Sequence, residues 1–466
     1  MIALRLLLFL FCSSFGWAVS EGHLQFLLQQ GQIDSVLKIS QDTTQEPFSP
    51  GFLRSLALAL LRQGIVERDP ETQLLTLFGA AVSCHDKAHE ILEMGLRSPF
   101  FPMQLLAVQG MARLHLDRSE AFLVKAMGSP FPLVRLEALE HLAALQNPMV
   151  FSLAEALFYK APTPLLLFYP PILASVGDKP AIMKLRRFLS DSSLEMRVSA
   201  LLQIRSLARE DIIPQSRSKL LSASLPEQEA SAFVVGALGD THLVPILKNL
   251  ALSKDVFVRL SAANALVHLG EEAAFDLIQK EANRNNLYAL HLVGQWQDPD
   301  SCLPKLLHDA DAAVKLNALL ASMQMGSSLP VSLCREILLQ DPKQRVLTTQ
   351  QSPGTCFISF ASTPTYMIPT PLLPAALAND LGLKTQIFTH MHGQDIDAFL
   401  SLADGMVQAG RDELLPSLMT LLQEDGSQKA VAWLQRHVEV LGEPFLRNYS
   451  LLTLYRIQKK KEHGLL

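Results

Sequence analysis

The stretch Asp255-Val256-Phe257-Val258-Arg259-Leu260-Ser261-Ala262-Ala263-Asn264-Ala265-Leu266-Val267-His268-Leu269-Gly270 decides the fold. Val258, Ala262, Leu266 and Leu269 recur at helical spacing and form one apolar stripe. Asp255 is placed to cap the first turn, and Gly270 to end the last in the left-handed conformation. The segment predicts an amphipathic helix with both ends marked.

Counting backward from Arg259 in steps of 31 residues reaches positions 228, 197, 166, 135 and 104, and most of them repeat the pattern. Met196-Arg197-Val198-Ser199-Ala200-Leu201, Val134-Arg135-Leu136-Glu137-Ala138-Leu139 and Met103-Gln104-Leu105-Leu106-Ala107-Val108 carry it clearly. At Gln228 the arginine is lost, but Ala230, Ala232 and a closing Leu238-Gly239 remain. At Leu166 prolines degrade the unit, although Val176-Gly177 still closes it. Forward of Gly270 the register loosens. Val293-Gly294 closes one unit, Val314-Lys315-Leu316-Asn317-Ala318-Leu319 opens another that Met325-Gly326 closes, and Phe445 to Leu451 echoes Phe257 to Ala263.

A unit of 31 residues suits two helices and two short turns. One such hairpin cannot bury its apolar face alone, so neighbours must stack into a continuous core. The small residue three places after each arginine permits close helix contact. The arginine itself is expected to meet an Asp or main-chain carbonyls in the next turn, as a polar ladder between repeats, and the Asp255/Arg259 pair is read as structural. These residues resemble the HEAT family, above all the short bacterial HEAT-like repeats also found in phycobilisome lyases. The resemblance covers about residues 70–330 well and 395–460 loosely. It implies an all-α, α-α superhelical solenoid of stacked hairpins, with scaffolding or adaptor work on a concave face. A minority of the family attach bilins, an activity that export argues against.

The flanks extend this reading. His23 to Gln30 and Ile33 to Ser40, split by Gly31, and Phe52 to Ile65, with Arg54 and Arg62 toward solvent, predict capping or TPR-like hairpins. Residues 341–377 break the pattern. Thr355-Cys356-Phe357-Ile358-Ser359-Phe360 reads as a short strand, and Pro364, Pro369, Pro371 and Pro374 forbid a long helix. This irregular, β-containing insert is either a functional loop or a linker. The expected organisation is 1–20 signal peptide, 21–69 N-terminal helical cap, 70–340 repeat solenoid, 341–377 insert, and 378–466 C-terminal helical repeats.

Composition agrees with helix packing. The 466 residues are 49% hydrophobic but only 7% aromatic, so Leu, Ala and Val carry the apolar share. Charged residues are 18%, and the mean hydropathy is +0.20. A net charge of −5 draws no nucleic acid. The basic run Lys459-Lys460-Lys461 reads as a solvated helix end, with a partner or membrane contact as the alternative.

The first twenty residues read as an export signal: Arg5, an apolar Leu6 to Phe11, then Ala18 and Ser20 at the −3 and −1 positions of a cut before Glu21. An uncleaved anchor is the alternative. A lipoprotein reading through Cys12 fails because Phe11 is too bulky. Leu165 to Val176 is too short to span a membrane and is broken by Pro170 and Pro171. The chain is therefore expected to be periplasmic or secreted, with no integral span after signal removal. Four cysteines then remain, Cys84, Cys302, Cys334 and Cys356, with no CxxC. They form one or two disulfides or stand as isolated buried thiols. On a eukaryotic route Asn448-Tyr449-Ser450 is a glycosylation sequon, made doubtful by its helical setting.

No GxSxG, P-loop or GxGxxG in a βαβ context is present, and Cys84 beside His85 is no catalytic pair by adjacency alone. Two histidine groups remain. His390-Met391-His392, read as alternate residues on a strand with Asp395 and Asp397 nearby, suits a divalent metal or a plain polar loop. His85 and His89, at i and i+4 beside Asp86 and Glu90, suit a metal less well, because HxxxHE is not HExxH. The proline-rich run Pro162 to Leu173, with Phe168 and Tyr169, is an exposed partner patch or a buried irregular repeat. The sequence thus points to an exported scaffold, not an enzyme, holding a protein or peptide in its groove, with no cofactor, metal or catalytic residue assigned. The alternative is a metal-dependent enzyme or accessory factor with a site at His390 and His392.

Overall fold

In the computed structural model, which describes residues 20–42, 48–83, 85–114, 118–207, 212–296, 302–310, 312–339, 375–411, 414–438, 440–441 and 444–462, Val256–His268 is a helix. The Asp255 carboxylate accepts the Phe257 and Val258 amides at 3.0 and 2.9 Å. Gly270 leaves the helix at a φ of +90°, a conformation that costs a residue without Cβ nothing.

Every regular element among the described residues is helical. In chain order the α-helices are α1 (Glu21–Gln29), α2 (Ile33–Asp42), α3 (Pro50–Ile65), α4 (Pro70–Ser83), α5 (His89–Leu96) and α6 (Phe101–Leu114). Then come α7 (Ser119–Ala126), α8 (Pro132–Ala144), α9 (Val150–Phe158), α10 (Tyr169–Val176), α11 (Lys179–Phe188), α12 (Leu194–Leu207), α13 (Ile213–Lys219) and α14 (Leu225–Leu238). These are followed by α15 (Val244–Leu250), α16 (Val256–His268), α17 (Phe275–Ala282), α18 (Leu287–Trp296), α19 (Leu303–Leu306), α20 (Ala312–Gln324) and α21 (Val331–Leu339). The last are α22 (Ala375–Gln394), α23 (Ile396–Gln408), α24 (Leu415–Asp425), α25 (Gln428–His437) and α26 (Pro444–Glu462). The strand read at 355–360, residues 341–374 of the insert and residues 1–19 of the export signal lie outside the described residues, while residues 375–377, read as part of the insert, already begin α22.

The described residues fall into two compact units, which are not successive along the chain. One takes its residues from 1–116 and 415–466, the other from between them. In the first, α26 packs on α3 and α4, α24 on α26, and α5 on α6. Arg54, expected to point to solvent, instead donates to the Tyr455 hydroxyl at 3.3 Å and lies 5.3 Å from its ring centroid. The reason is that α26 covers the side of α3 that a free-standing cap would leave wet.

The second unit is an all-α stack of hairpins. Its longer helices pack directly on one another, α12 on α14, α14 on α16 and α18 on α20, while α13, α15 and α17 each lie on the longer helix that follows. Leu220, Ala232, Val235, Leu247, Ala262, Ala265 and Leu266 form one buried cluster shared by adjacent hairpins, each large side chain contributing about 1.5–3 kcal/mol. The spacing depends on missing atoms. A Cβ on Gly236 would lie 2.6 Å from Ala265 Cα, and one on Gly294 2.8 Å from Ala321 Cα. Gly294 therefore does not close a unit as its sequence suggests. It lies inside α18, where the neighbouring backbone needs the space.

The arginines do meet main-chain carbonyls, but in a different turn from the one expected. Arg135, Arg197 and Arg259 each donate from Nη1 to the main-chain carbonyl six residues back, on Ser129, Asp191 and Ser253, at 2.6, 2.8 and 2.7 Å. Gln104 and Gln228 make the same bond from Nε2 to Ser98 and Ser222, both at 2.7 Å. Gln73, one further step of 31 residues back, makes it to Glu67 at 2.6 Å. The carbonyl belongs to the preceding turn, not the next. There the carbonyl lies two or three residues past the end of the preceding helix, beyond reach of an intrahelical donor, and a long arm from the following helix satisfies it. The Ser98, Ser129, Ser222 and Ser253 hydroxyls and the Asp191 carboxylate also accept the amide two residues on, at 3.2, 3.1, 3.1, 3.2 and 2.9 Å.

Successive repeats are tied by charge as well. The Glu227 carboxylate, buried at the start of α14, accepts Arg197 Nε at 2.8 Å, Lys219 Nζ at 2.7 Å and the Ser222 hydroxyl at 2.6 Å. Burial alone would raise its pKa, but the hydrogen bonds from Lys219, Ser222 and Arg197 outweigh burial and bring it down to about 2. Arg259 reaches Glu281 in the same manner, at 3.3 Å.

Candidate interaction surface

The histidines singled out in the sequence are not assembled into a site. His390 and His392 lie on a helix, α22, and not on a strand. Two residues apart on a helix they point to opposite sides. His390 Nε2 is 2.9 Å from the Ser327 carbonyl, whereas the His392 ring meets Phe399 edge-on at 5.0 Å. Asp395 caps α23 through the Asp397 and Ala398 amides. His85 and His89, unlike His390 and His392, do not share a helix. His85 precedes the short 3-10 turn Asp86–Ala88 and accepts the Lys87 amide at 3.1 Å. His89 Nδ1 is 2.6 Å from the Asp86 carbonyl. Burial, helped by Arg54, Arg456 and Lys459 and opposed by Asp86, brings the His85 pKa down to about 4. Among the described residues no group of three or more His, Cys, Asp or Glu is placed to hold a metal ion.

The other marked residues are structural or lie elsewhere. Cys334 is a buried thiol, pushed up by burial to about 11. Cys84 and Cys356 lie outside the described residues. Asn448, the sequon asparagine, is 2% exposed within α26, so glycosylation cannot reach it in the folded chain. Lys459, Lys460 and Lys461 close the last turn of α26, where cations suit the helix dipole. Among the described residues, no helix is long and apolar enough to cross a membrane.

Along the longer helices of the second unit runs a row of side-chain pairs between repeats. Arg205 Cζ stands 5.2 Å from the Phe233 ring centroid. Trp296 Nε1 donates to Asn264 Oδ1 at 2.8 Å, the His268 ring lies 4.5 Å from that of Trp296, and Gln324 Nε2 is 3.1 Å from His291 Nδ1. Burial brings His291 down to about 4, and burial together with Arg205 lowers His268. Both rings are therefore neutral near pH 7 and serve as hydrogen-bonding and stacking groups. These side chains spend their bonding capacity on one another, which makes the row a seam between repeats.

The degraded repeat is different. Prolines at 162, 170 and 171 replace the first turns of a longer helix by a 3-10 segment, Thr163–Phe168, and leave α10 only eight residues long. Tyr169 is buried, but Phe168 beside it is 50% exposed, so both readings of this run hold in part. Beside it α9 and α11 frame a cavity of about 280 Å³ lined by Phe151, Glu155, Lys179, Pro180, Met183, Lys184 and Arg187. Lys184 is fully engaged. Its Nζ is 2.8 Å from Glu155 Oε1 and lies over the rings of Phe158, Tyr159 and Phe188 at 4.7, 5.2 and 5.7 Å. Glu155, the one carboxylate among the described residues lining the cavity, is neutralised by it. Lys179 and Arg187 are left as a positive rim. Tyr159 and Met183 stand 74% and 50% exposed. Sequence reading missed Lys179, Met183 and Arg187, although their i, i+4, i+8 spacing on one helix face was there to be seen.

Fold and surface together define a helical-repeat protein. No family model matches the chain, and no curated protein matches it. Among solved structures, human deoxyhypusine hydroxylase in complex with glycerol is similar at 17% identity, over 59% of this chain and 96% of that one, with a TM-score of 0.24. So weak a likeness says nothing about what this chain does.

Proposed function

We propose that this chain is an exported interaction scaffold of HEAT-type repeats, holding an acidic, apolar segment of a protein partner on the surface of α9 and α11. The observation that carries the reading is the cavity between those helices. Its exposed Met183 and its Arg187, with the exposed Tyr159 at the end of α9, are residue types enriched where binding energy concentrates, and Lys179 adds positive charge to the rim. Monomers rarely leave large apolar side chains grouped in this way without a use for them. The alternative of a metal site at His390 and His392 is not favoured, because the two rings meet different partners.

A photocrosslinking residue placed at Tyr159 or Met183 in the native cell tests the proposal. One discrete adduct is expected from both positions and none from Leu252, which is 81% exposed on another hairpin. Met183→Glu should abolish the adduct at Tyr159 by setting a carboxylate against the partner's acidic side. Equal labelling from Leu252, or an adduct indifferent to that change, sinks the reading. Export is tested separately, by fractionation and by whether the mature chain begins at Glu21.

A further inference from the structure

We propose that the first unit carries a binding pocket for an alkyl-ammonium group, formed by α2, α3, α4 and α26. The cavity measures about 300 Å³ and is lined by residues from all four helices and from the α3–α4 turn. Its rim is acidic: Asp34 on α2 and Glu67 and Asp69 in the turn are all exposed. None of the described residues lining it is basic. Leu37, Leu60 and Leu75 supply an aliphatic wall.

Acidic rims are common on protein surfaces, and the floor is what distinguishes this one. Thr76 and Asn448 are each 2% exposed. The Thr76 hydroxyl is satisfied, donating to the Thr72 carbonyl at 2.7 Å. Asn448 Oδ1 is buried and accepts no hydrogen bond. A buried amide oxygen without a donor costs about 1–3 kcal/mol, and native structures rarely keep one without a use. A ligand that brings an N–H donor to the floor, a positive charge beneath the carboxylates and a methylene stem along the leucines meets every feature at once. A primary ammonium on an aliphatic chain does so. A carboxylate would be repelled at the rim, and a neutral hydrocarbon would leave Asn448 unmet. The source is either a free primary amine or the side chain of a lysine in a peptide.

Titration calorimetry on the full chain tests this with n-butylammonium, with Nα-acetyl-lysine amide, and with tetramethylammonium, which has the charge but no N–H. Saturable binding of at least one primary ammonium is expected, with tetramethylammonium about tenfold weaker or undetectable. Binding of butylammonium alone identifies a small-molecule site, and of the blocked lysine alone a peptide site. Asp34→Asn with Glu67→Gln changes only exposed rim residues, so the fold survives and binding should be lost. Asn448→Leu should weaken the primary ammonium about tenfold but leave tetramethylammonium unchanged. No saturable binding of either primary ammonium overturns the proposal, as does binding unchanged in the rim variant.

Discussion

Glu227 shows how much of the repeat architecture depends on single side chains. Its carboxylate takes two cations from different turns and a hydroxyl, in a place where water cannot replace them. Its ordinary pKa of 4.5 is brought down to about 2 in the fold, because the hydrogen bonds from Lys219, Ser222 and Arg197 overcome its burial. With a depressed carboxylate, the stability it confers is complete above pH 4.5 and is lost as the pH falls toward 2. Glu227→Gln keeps the shape but strands Arg197 and Lys219. The expected cost near neutrality is about 2–3 kcal/mol, below the usual figure for a broken buried pair because both cations retain some contact with water. Urea melts of the two proteins should differ by that amount at about pH 7 and draw together as the pH falls from 4.5 toward about 2. A gap independent of pH would mean that packing, not charge, holds the turn.

At the scale of the element, the helices were legible because their signals are local. Asp255 before a helix and Gly270 after one act on the next turn alone, and both do in the structure what their identity suggests. The 31-residue period survived the change from arginine to glutamine because either side chain reaches a carbonyl six residues back. Gln73 carried the same signal one step beyond the stretch where it was sought. Gly294 misled because a helix-ending glycine and a close-contact glycine look alike until the neighbouring helix is seen. His390 and His392 misled because alternation suggests a strand whatever the surrounding residues prefer. The α9–α11 surface was largely illegible, since nothing local says that Lys184 is consumed by Glu155 and three rings while Lys179 and Arg187 are not.

Two glycines separate these roles by experiment. A helical Gly→Ala change ordinarily stabilises by about 0.5–1 kcal/mol. Gly405 in α23 has nothing nearer its would-be Cβ than Leu339 at 4.0 Å, so Gly405→Ala should show that gain. Gly236→Ala should have the opposite sign, a loss of about 1–3 kcal/mol, because the added carbon meets backbone at 2.6 Å that cannot move aside. Chemical denaturation of both variants reads the signs directly. A gain at both positions would show that α14 and α16 are not in close contact.

For the molecule as a whole, the organising fact is that residues far apart in the chain complete one unit. Tyr455 and Arg54 are separated by 401 positions and touch, and Arg456 Nη1 donates to the Ser83 carbonyl at 2.8 Å. No period in the sequence links these residues, so this pairing had no local signature. Its consequence follows from α3, where Phe52, Leu53, Leu56, Ala57, Leu58, Leu60, Leu61 and Ile65 are all buried. An apolar surface that wide cannot be covered from one side, and α26 supplies the second through Leu446, Tyr449, Leu452 and other buried residues. A chain ended before Leu415 should therefore lose amide-exchange protection throughout α3 and α4. Helices α12 to α18 should keep theirs, since their carbonyl bonds, shared core and Glu227 link lie in the other unit. Collapse of protection in both sets would mean that the two units fold as one cooperative body. Unchanged protection in α3 would mean that α26 is an appendage and not a structural half.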